Sequence, residues 1–338
     1  IHGIRVGEPG NRTLLALLDD QHEIEVSAVE PALSKVTGME HYDPLRTYAA
    51  VMKRRAIPPY TLGIAPGSDP AGIAAVEAQL QQVKANLFTL TRDKPVDFLL
   101  HAVDGALFLS RLHDYAPLFR RVPGYDEAAA LFFLQKLETI AAWRQVLDLH
   151  NPDTQIRDEE ITLDLQRVTE AGNDSNDAPT EAVDWRVSPV LFPYQDKDGK
   201  LQPPGFKLKI KNTGRRALWV SLLYLSEDFG ISNVLLAKQA LNPGEEANAA
   251  DVVNGFPYFV IPLRLEEHHQ TKGIHAIEEC LKVITSTEEF NTDLFNQKGL
   301  PPDEAPLRPT RAVGRVRDVV TKDWRTLEIW VRIEKGEG

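Results

Sequence analysis

The chain holds one cysteine, Cys280, in 338 residues. A single thiol excludes an internal disulfide framework and a zinc site built from several thiolates. It fits a reducing compartment, and a cytoplasmic protein is expected. Long apolar runs are also missing. No stretch approaches the ~20 consecutive apolar residues that a membrane helix needs, so no membrane partner is expected. Positive charge is scarce: 38 Lys and Arg stand against 49 Asp and Glu, a formal net charge of −11. A surface that tracks nucleic-acid phosphates needs clustered cations, so no nucleic-acid partner is expected either. The chain begins Ile1-His2-Gly3-Ile4-Arg5, with neither a methionine nor a signal-like segment. This start leads us to expect a chain cut before Ile1, by design or by a protease.

What is present has the makeup of a folded soluble protein. Hydrophobic residues are 43% and charged residues 26%, and the length allows two domains with separate cores. The expected fold class is α+β. A mixed α/β unit over residues 1–155 precedes a mainly antiparallel β-sandwich over residues 156–338. Residues 1–62 read as strand-rich, with EIEVSAV (Glu23 to Val29) and TYAAVMKRRAI (Thr47 to Ile57) showing partial alternation between Pro/Gly stretches. YTLGIA reads as a strand leading into PGSDPAG. There Asp69 is suited to cap a helix and Pro70 to occupy its first position. Ile73, Val76, Leu80, Val83 and Leu87 repeat at helical spacing, which predicts a helix near 69–87. VDFLLHAV and ALFLSRL predict a hairpin turning at Asp104-Gly105. A second helix is expected near 126–149, capped by Asp126, with Leu134, Leu137, Ile140, Trp143 and Leu147 on one face. Pro152 disfavours its continuation.

Beyond residue 155 the period changes to two. EEITLDLQRV, PVLFPYQ, GFKLKIKNTG, ALWVSLLYLSE, NVLLAKQAL, YFVIPLRLEE, ECLKVITST and RTLEIWVRIEK read as strands, and Glu170 to Ala182 as a polar loop.

Each chemical candidate has a plainer reading. A nucleophilic Cys280 needs a nearby cation or helix N-terminus and a base. Glu278 and Glu279 precede it, and negative charge opposes a thiolate. Strand alternation groups Cys280 with Lys282 and Ile284, opposite Leu281 and Val283, which is the pattern of a small packing residue. His268, His269 and His275, with Glu266 and Glu267, form the densest histidine cluster, but their spacing matches neither HExxH nor a zinc finger, and a charged loop is expected. Asp196-Lys197-Asp198-Gly199 resembles the start of a calcium loop, yet the twelfth position is Lys207 where a glutamate is needed, so a turn is expected. APGSDPAG lacks both GxGxxG and a Gly-Lys-Ser/Thr ending, and no GxSxG elbow exists. The basic run Met52 to Ile57 reads as a solvated strand edge, with a partner contact or cleavage site as its functional alternative. No catalytic, cofactor-binding or metal-ligating residue is assigned, and no cofactor is expected.

Several stretches share a layout with a known family. They are FKLKIKNTGRRALWVSLLYLSEDFGI (Phe206 to Ile231), LNPGEE (Leu241 to Glu246), Ile261 to Leu263, and LKVITSTEEFNTDLFNQKGL (Leu281 to Leu300). Ala141 to Ile156 and Ile1 to Ile4 complete the set. Together they resemble the C-terminal, non-peptidase part of bacterial caspase-like (metacaspase-like) cysteine peptidases. That family's peptidase domain carries a His before a glycine and a Cys in an Asp-x-Cys-like context. Neither maps onto Cys280, and His2-Gly3 has no cysteine partner in sequence. The resemblance therefore implies a non-catalytic accessory region whose parent is a caspase-like cysteine endopeptidase. Its implied partners are proteins: the catalytic domain or chain, an activator, or a substrate. The alternative reading is a stand-alone protein-binding or sensing module. An enzyme using dispersed residues is a third.

Overall fold

The computed structural model describes residues 25–29, 34–37, 60–82, 87–92, 95–113, 115–271, 273–300 and 323–335. Contacts divide the chain into two units, Ile1–Pro58 and Pro59–Gly338, so residues on both sides of position 155 belong to the second. Of the first unit, one antiparallel hairpin is described, β1 (Glu25–Val29) with β2 (Ser34–Thr37). The segments Thr47 to Ile57 and Ile1 to Ile4 lie outside the described residues.

The second unit opens with β3 (Tyr60–Ile64), α1 (Pro70–Gln82), β4 (Phe88–Thr91), β5 (Phe98–Val103), β6 (Ala106–Ser110), β7 (Val122–Pro123) and α2 (Glu127–Leu147). The five strands form one sheet in the order β4-β3-β5-β6-β7, with β3 parallel to both neighbours and the rest antiparallel. Asp69 Oδ1 accepts from the Ala71 N–H at 2.8 Å, and Asp126 Oδ1 accepts from Ala129 at the same distance, so both helices start where their caps predict. The first helix ends earlier than its apolar spacing suggests. Leu87 lies outside it, and its carbonyl accepts from the Tyr60 N–H at 2.9 Å, tying the chain to β3 instead. Val83 is not among the described residues. The hairpin turns at Asp104-Gly105 with φ of 54° and 69°, as a tight I′-like turn requires. Between β4 and β5 the chain crosses β3 at Gly63, where a Cβ would lie 2.9 Å from the Val96 side chain. This crossing, not chain flexibility, requires the glycine.

The remaining strands are β8 (Ile161–Val168), β9 (Thr180–Val183), β10 (Val190–Pro193), β11 (Gln195–Lys197), β12 (Lys200–Gln202), β13 (Gly205–Asn212), β14 (Leu218–Leu225), β15 (Ile231–Leu241), β16 (Glu246–Asn248), β17 (Asp251–Val253), β18 (Phe256–Tyr258), β19 (Ile261–Pro262), β20 (Ala276–Ser286) and β21 (Trp324–Glu334). A short helix, α3 (Glu267–Thr271), precedes β20. One sheet runs β16-β13-β8-β9, with β19 also on β13. The other runs β10-β21-β20-β14-β15, antiparallel except for the β10–β21 pair. A single buried cluster draws alternate residues from both: Leu163 and Leu165, Leu208 and Ile210, Val220 and Leu222, Leu281 and Val283, Ile329 and Val331. The opposite face of β14 and β20 gives Leu223, Leu225, Cys280 and Ile284 to a second cluster shared with Val146 of α2. The second unit thus mixes α and β, and strand dominates it beyond α2.

Two strand expectations are corrected. Thr180 to Ala182, expected in a loop, pair with β8 through residues Gln166 to Val168. YFVIPLRLEE, expected as one strand, is broken into the end of β18, the two-residue β19 and the start of α3. Pro262 supplies no N–H to a ladder, so a continuous strand through it would lose a bond. Among the described residues no helix is long and apolar enough to cross a membrane.

Candidate functional site

Strands β14 and β20 pair antiparallel, with Tyr224 opposite Leu281 and Leu225 opposite Cys280. Side chains alternate on β20, so Glu279 lies on the same face as Ile277, Leu281 and Val283, the face that contributes to the buried cluster drawn from both sheets. Glu279 is 6% exposed. Its carboxylate accepts from the Tyr224 hydroxyl. The turn after β14 brings Glu227 and Asp228 to the same end of the sheet. Asp228 Oδ1 accepts from the Ser226 hydroxyl at 2.5 Å and from the Gly230 N–H at 3.1 Å. A Cβ on Gly299 would collide with the Asp228 carboxylate, so only glycine permits that approach.

The fifth member comes from α3. His269 is 2% exposed. Its Nδ1 accepts from the Glu266 N–H at 3.0 Å, which places the ring hydrogen on Nε2. Nε2 donates to Glu227 Oε1 at 2.5 Å. A tyrosine, a histidine and three carboxylates therefore converge from β14, its following turn, α3 and β20. Burial pushes the Glu279 carboxyl up to about 7. The Tyr224 hydroxyl and His269 work against that rise, while Glu227 and Asp228 add to it. Burial, reinforced by Glu279, also holds the Tyr224 phenol well above its ordinary value. The cluster is suited to hold a proton and to fasten α3. Its near-complete burial leaves no approach for a substrate at Glu279 or His269.

Cys280 occupies the other face of β20. It is fully buried among Leu223, Leu225 and Ile284, and its thiol is pushed up to about 12. The physical cause differs from the sequence argument. Burial dominates and Glu328 on β21 adds to it, while Glu278 is exposed and Glu279 points the other way. Beside it, Lys282 is also fully buried and donates to the Leu147 carbonyl and to Glu328 Oε1, both at 2.6 Å. Leu147 and Glu328 line a surface groove of about 600 Å³ with Arg144, Asp148, His150 and Trp330.

The other sequence candidates separate in space. The histidine stretch, expected as a loop, carries α3. His269 joins the cluster above, and His275 is exposed beyond the helix. Among the described residues no group of three or more His, Cys, Asp or Glu is placed to hold a metal. Asp198 and Gly199 form the turn between β11 and β12, and Asp196 Oδ1 accepts from the Gly199 N–H at 2.9 Å. The APGSDPAG turn lines a cavity of about 600 Å³ at the carboxyl end of β3. Here the helix start disfavours an anion, because Asp69 already holds the Ala71 N–H and Pro70 has none. Gly72 serves packing: a Cβ there would sit 2.6 Å from that of Ala102.

One pairing had no sequence signal. His101 Nε2 lies 2.9 Å from Ser110 Oγ across the β5–β6 hairpin. The Ser110 hydroxyl donates to the Arg111 carbonyl at 3.0 Å, and the side chain is fully buried, so the pair ties the hairpin and presents no nucleophile. Burial, with Arg121 nearby, lowers the His101 imidazole below its ordinary value.

No family model matches the chain, and no curated protein matches it. Among solved structures it is similar to a hemolymph-type prophenoloxidase from a crustacean, with 9% identity and a TM-score of 0.27. The match covers 63% of this chain and 40% of that one, a likeness too low to carry a fold or a function across.

Proposed function

We propose that this chain is a non-catalytic accessory region of a bacterial caspase-like cysteine protease, and that the sheets built on β13 and β14 face each other as a β-sandwich. The observation that carries the first part is the burial of the only thiol. Cysteine peptidase chemistry needs an accessible thiolate with a base in reach, and Cys280 is fully buried with its thiol pushed up to about 12. The family-like stretches supply the second support. They supply β13, β14 and β20, whose alternate residues enter one cluster. That shared cluster is also what supports the sandwich.

In this reading the chain acts by binding. Its partners are the peptidase domain or chain, an activator, or a substrate protein. The test is N-terminal sequencing and intact mass of the natively expressed protein. A polypeptide, or a second fragment, carrying a Cys/His peptidase domain upstream of Ile1 supports the accessory role. A native chain without such a domain sinks it.

The stand-alone binding module is the second reading, favoured by one feature. The β17–β18 hairpin exposes Val252 (57%), Val253 (46%), Phe256 (69%) and Tyr258 (41%). Apolar side chains left open on both faces of a hairpin are typical of a protein contact.

A further inference from the structure

We propose that Glu279, Tyr224, Glu227, Asp228 and His269 form a proton-dependent latch that holds the α3 segment, residues 265–271 and 273–275, against the end of the β14–β20 pair. The latch is closed when Glu279 carries a proton and loosened when it does not.

The geometry supplies both halves. One bond of the His269 imidazole fastens α3 to the turn after β14, and the other fixes the ring within the segment. His269 accepts from the Glu266 N–H at 3.0 Å and donates to Glu227 at 2.5 Å, bridging the helix to the turn after β14. Other holds on the segment include the Leu265 N–H on the Tyr194 hydroxyl at 2.9 Å, the Lys335 N–H on the His275 carbonyl at 2.7 Å, and burial of Leu265 in the core cluster with Ile274 packed against it. Among the groups shaping the charge at Glu279 are Tyr224 from β14, Glu227 and Asp228 from its turn, and His269 from α3. Three of these four neighbours take part in the hold on α3 or share its turn. A neutral Glu279 adds no charge against Glu227, which keeps its bond to His269. A charged Glu279 adds a buried negative charge beside two others, and water cannot screen it at 6% exposure. The relief available is outward movement of Glu227, which is already 26% exposed and gives up His269 by moving. The neutral-to-charged change falls near pH 7, where a modest shift in proton concentration acts on it.

The test is hydrogen exchange of the full chain, followed in peptides covering 265–275 between pH 5.5 and 8.5 and corrected for the intrinsic pH dependence of exchange. Protection of these peptides is expected to fall at least tenfold across neutral pH, while peptides from β8 and β13 stay protected. Glu279→Gln, which keeps an acceptor for Tyr224, is expected to remain protected throughout. Tyr224→Phe removes a hydroxyl that stabilises the charged form, so its midpoint is expected at higher pH. Pressure from pH alone on the wild-type chain keeps the test valid if either variant fails to fold. Constant protection of 265–275 in the wild type, or a Glu279→Gln chain with the wild-type pH response, overturns the latch.

Discussion

Strand β20 buries an ionisable side chain on each of its two faces, and their surroundings are opposite in kind. On the core face, Glu279 meets Glu227 and Asp228, with a tyrosine hydroxyl as donor. On the face toward α2, Lys282 meets one carboxylate, Glu328, and one carbonyl, Leu147 O. Burial, reinforced by the like charges of Glu227 and Asp228, favours the neutral form of Glu279 and makes it a titrating group. Lys282, tied to an opposite charge and a carbonyl, is a strut. The lesson is that burial alone does not define a buried charge's role. The sign of the neighbouring charges also counts.

The apolar part of the same comparison gives the largest expected effect. Leu281 is fully buried on the core face, among residues of both sheets. Leu281→Ala is expected to lower unfolding free energy by about 2–5 kcal/mol, because the surrounding strands cannot collapse into the space. Urea unfolding monitored by tryptophan fluorescence reads this out. A loss under about 1 kcal/mol would mean that the two sheets are not tightly joined there.

Next in size is the pH dependence of Glu279. Its folded carboxyl, near 7, lies above its ordinary 4.5. The stability it contributes is therefore fully present below about pH 4.5 and is lost as pH rises through 7. The total is about 3 kcal/mol, taken from the distance between the two values. Glu279→Gln should match the wild type at pH 4 and be the more stable protein at pH 8. Thermal midpoints measured at both pH values decide this. A variant less stable than the wild type at pH 8 would show that the Glu279 carboxylate is favourably held, and the contrast with Lys282 would vanish.

Lys282→Met is expected to act in the opposite direction and with less force. It leaves the Leu147 carbonyl without its donor and Glu328 without its partner. Glu328 is 38% exposed and takes up water, so the loss should be about 1–3 kcal/mol. A methionine variant that matches or exceeds wild-type stability would identify the strut as replaceable by packing.

How much of this was legible in the sequence follows from the range of each contact. Alternation in ECLKVITST places Cys280, Lys282 and Ile284 on one face, because that pattern is local to one strand. The caps of both helices are equally local, and Asp69 and Asp126 are read at sight. The buried cluster is not local. Glu279 meets Glu227 across 52 positions and His269 through a short helix whose residues looked like a charged loop. Nothing in EEHHQTKGIH distinguishes His269, which is buried, from His275, which is exposed. Register hides the neighbours of Lys282 in the same way, since Glu328 is opposite it only once β21 is aligned on β20. Short strands such as β16 and β19 have too few residues to show a period, and they exist because β13 offers them an edge.

Cys280 gives the smallest effect and closes the comparison. It shares a face with Lys282, but neither partner charge nor hydrogen bonding explains it: it fills space between Leu223, Leu225 and Val146 of α2. Cys280→Ala removes one sulfur from that packing and is expected to cost about 1 kcal/mol, near the low end for deletion of a buried group. The variant should keep the pH response of Glu279, because the two side chains lie on opposite faces of the strand. The thiol itself should react with iodoacetamide at pH 7.5 only as fast as the chain opens, and denaturant should accelerate labelling. Rapid labelling of the native protein would place the thiol at an accessible position with a lowered pKa. That result would remove the packing role and return Cys280 to consideration as a nucleophile.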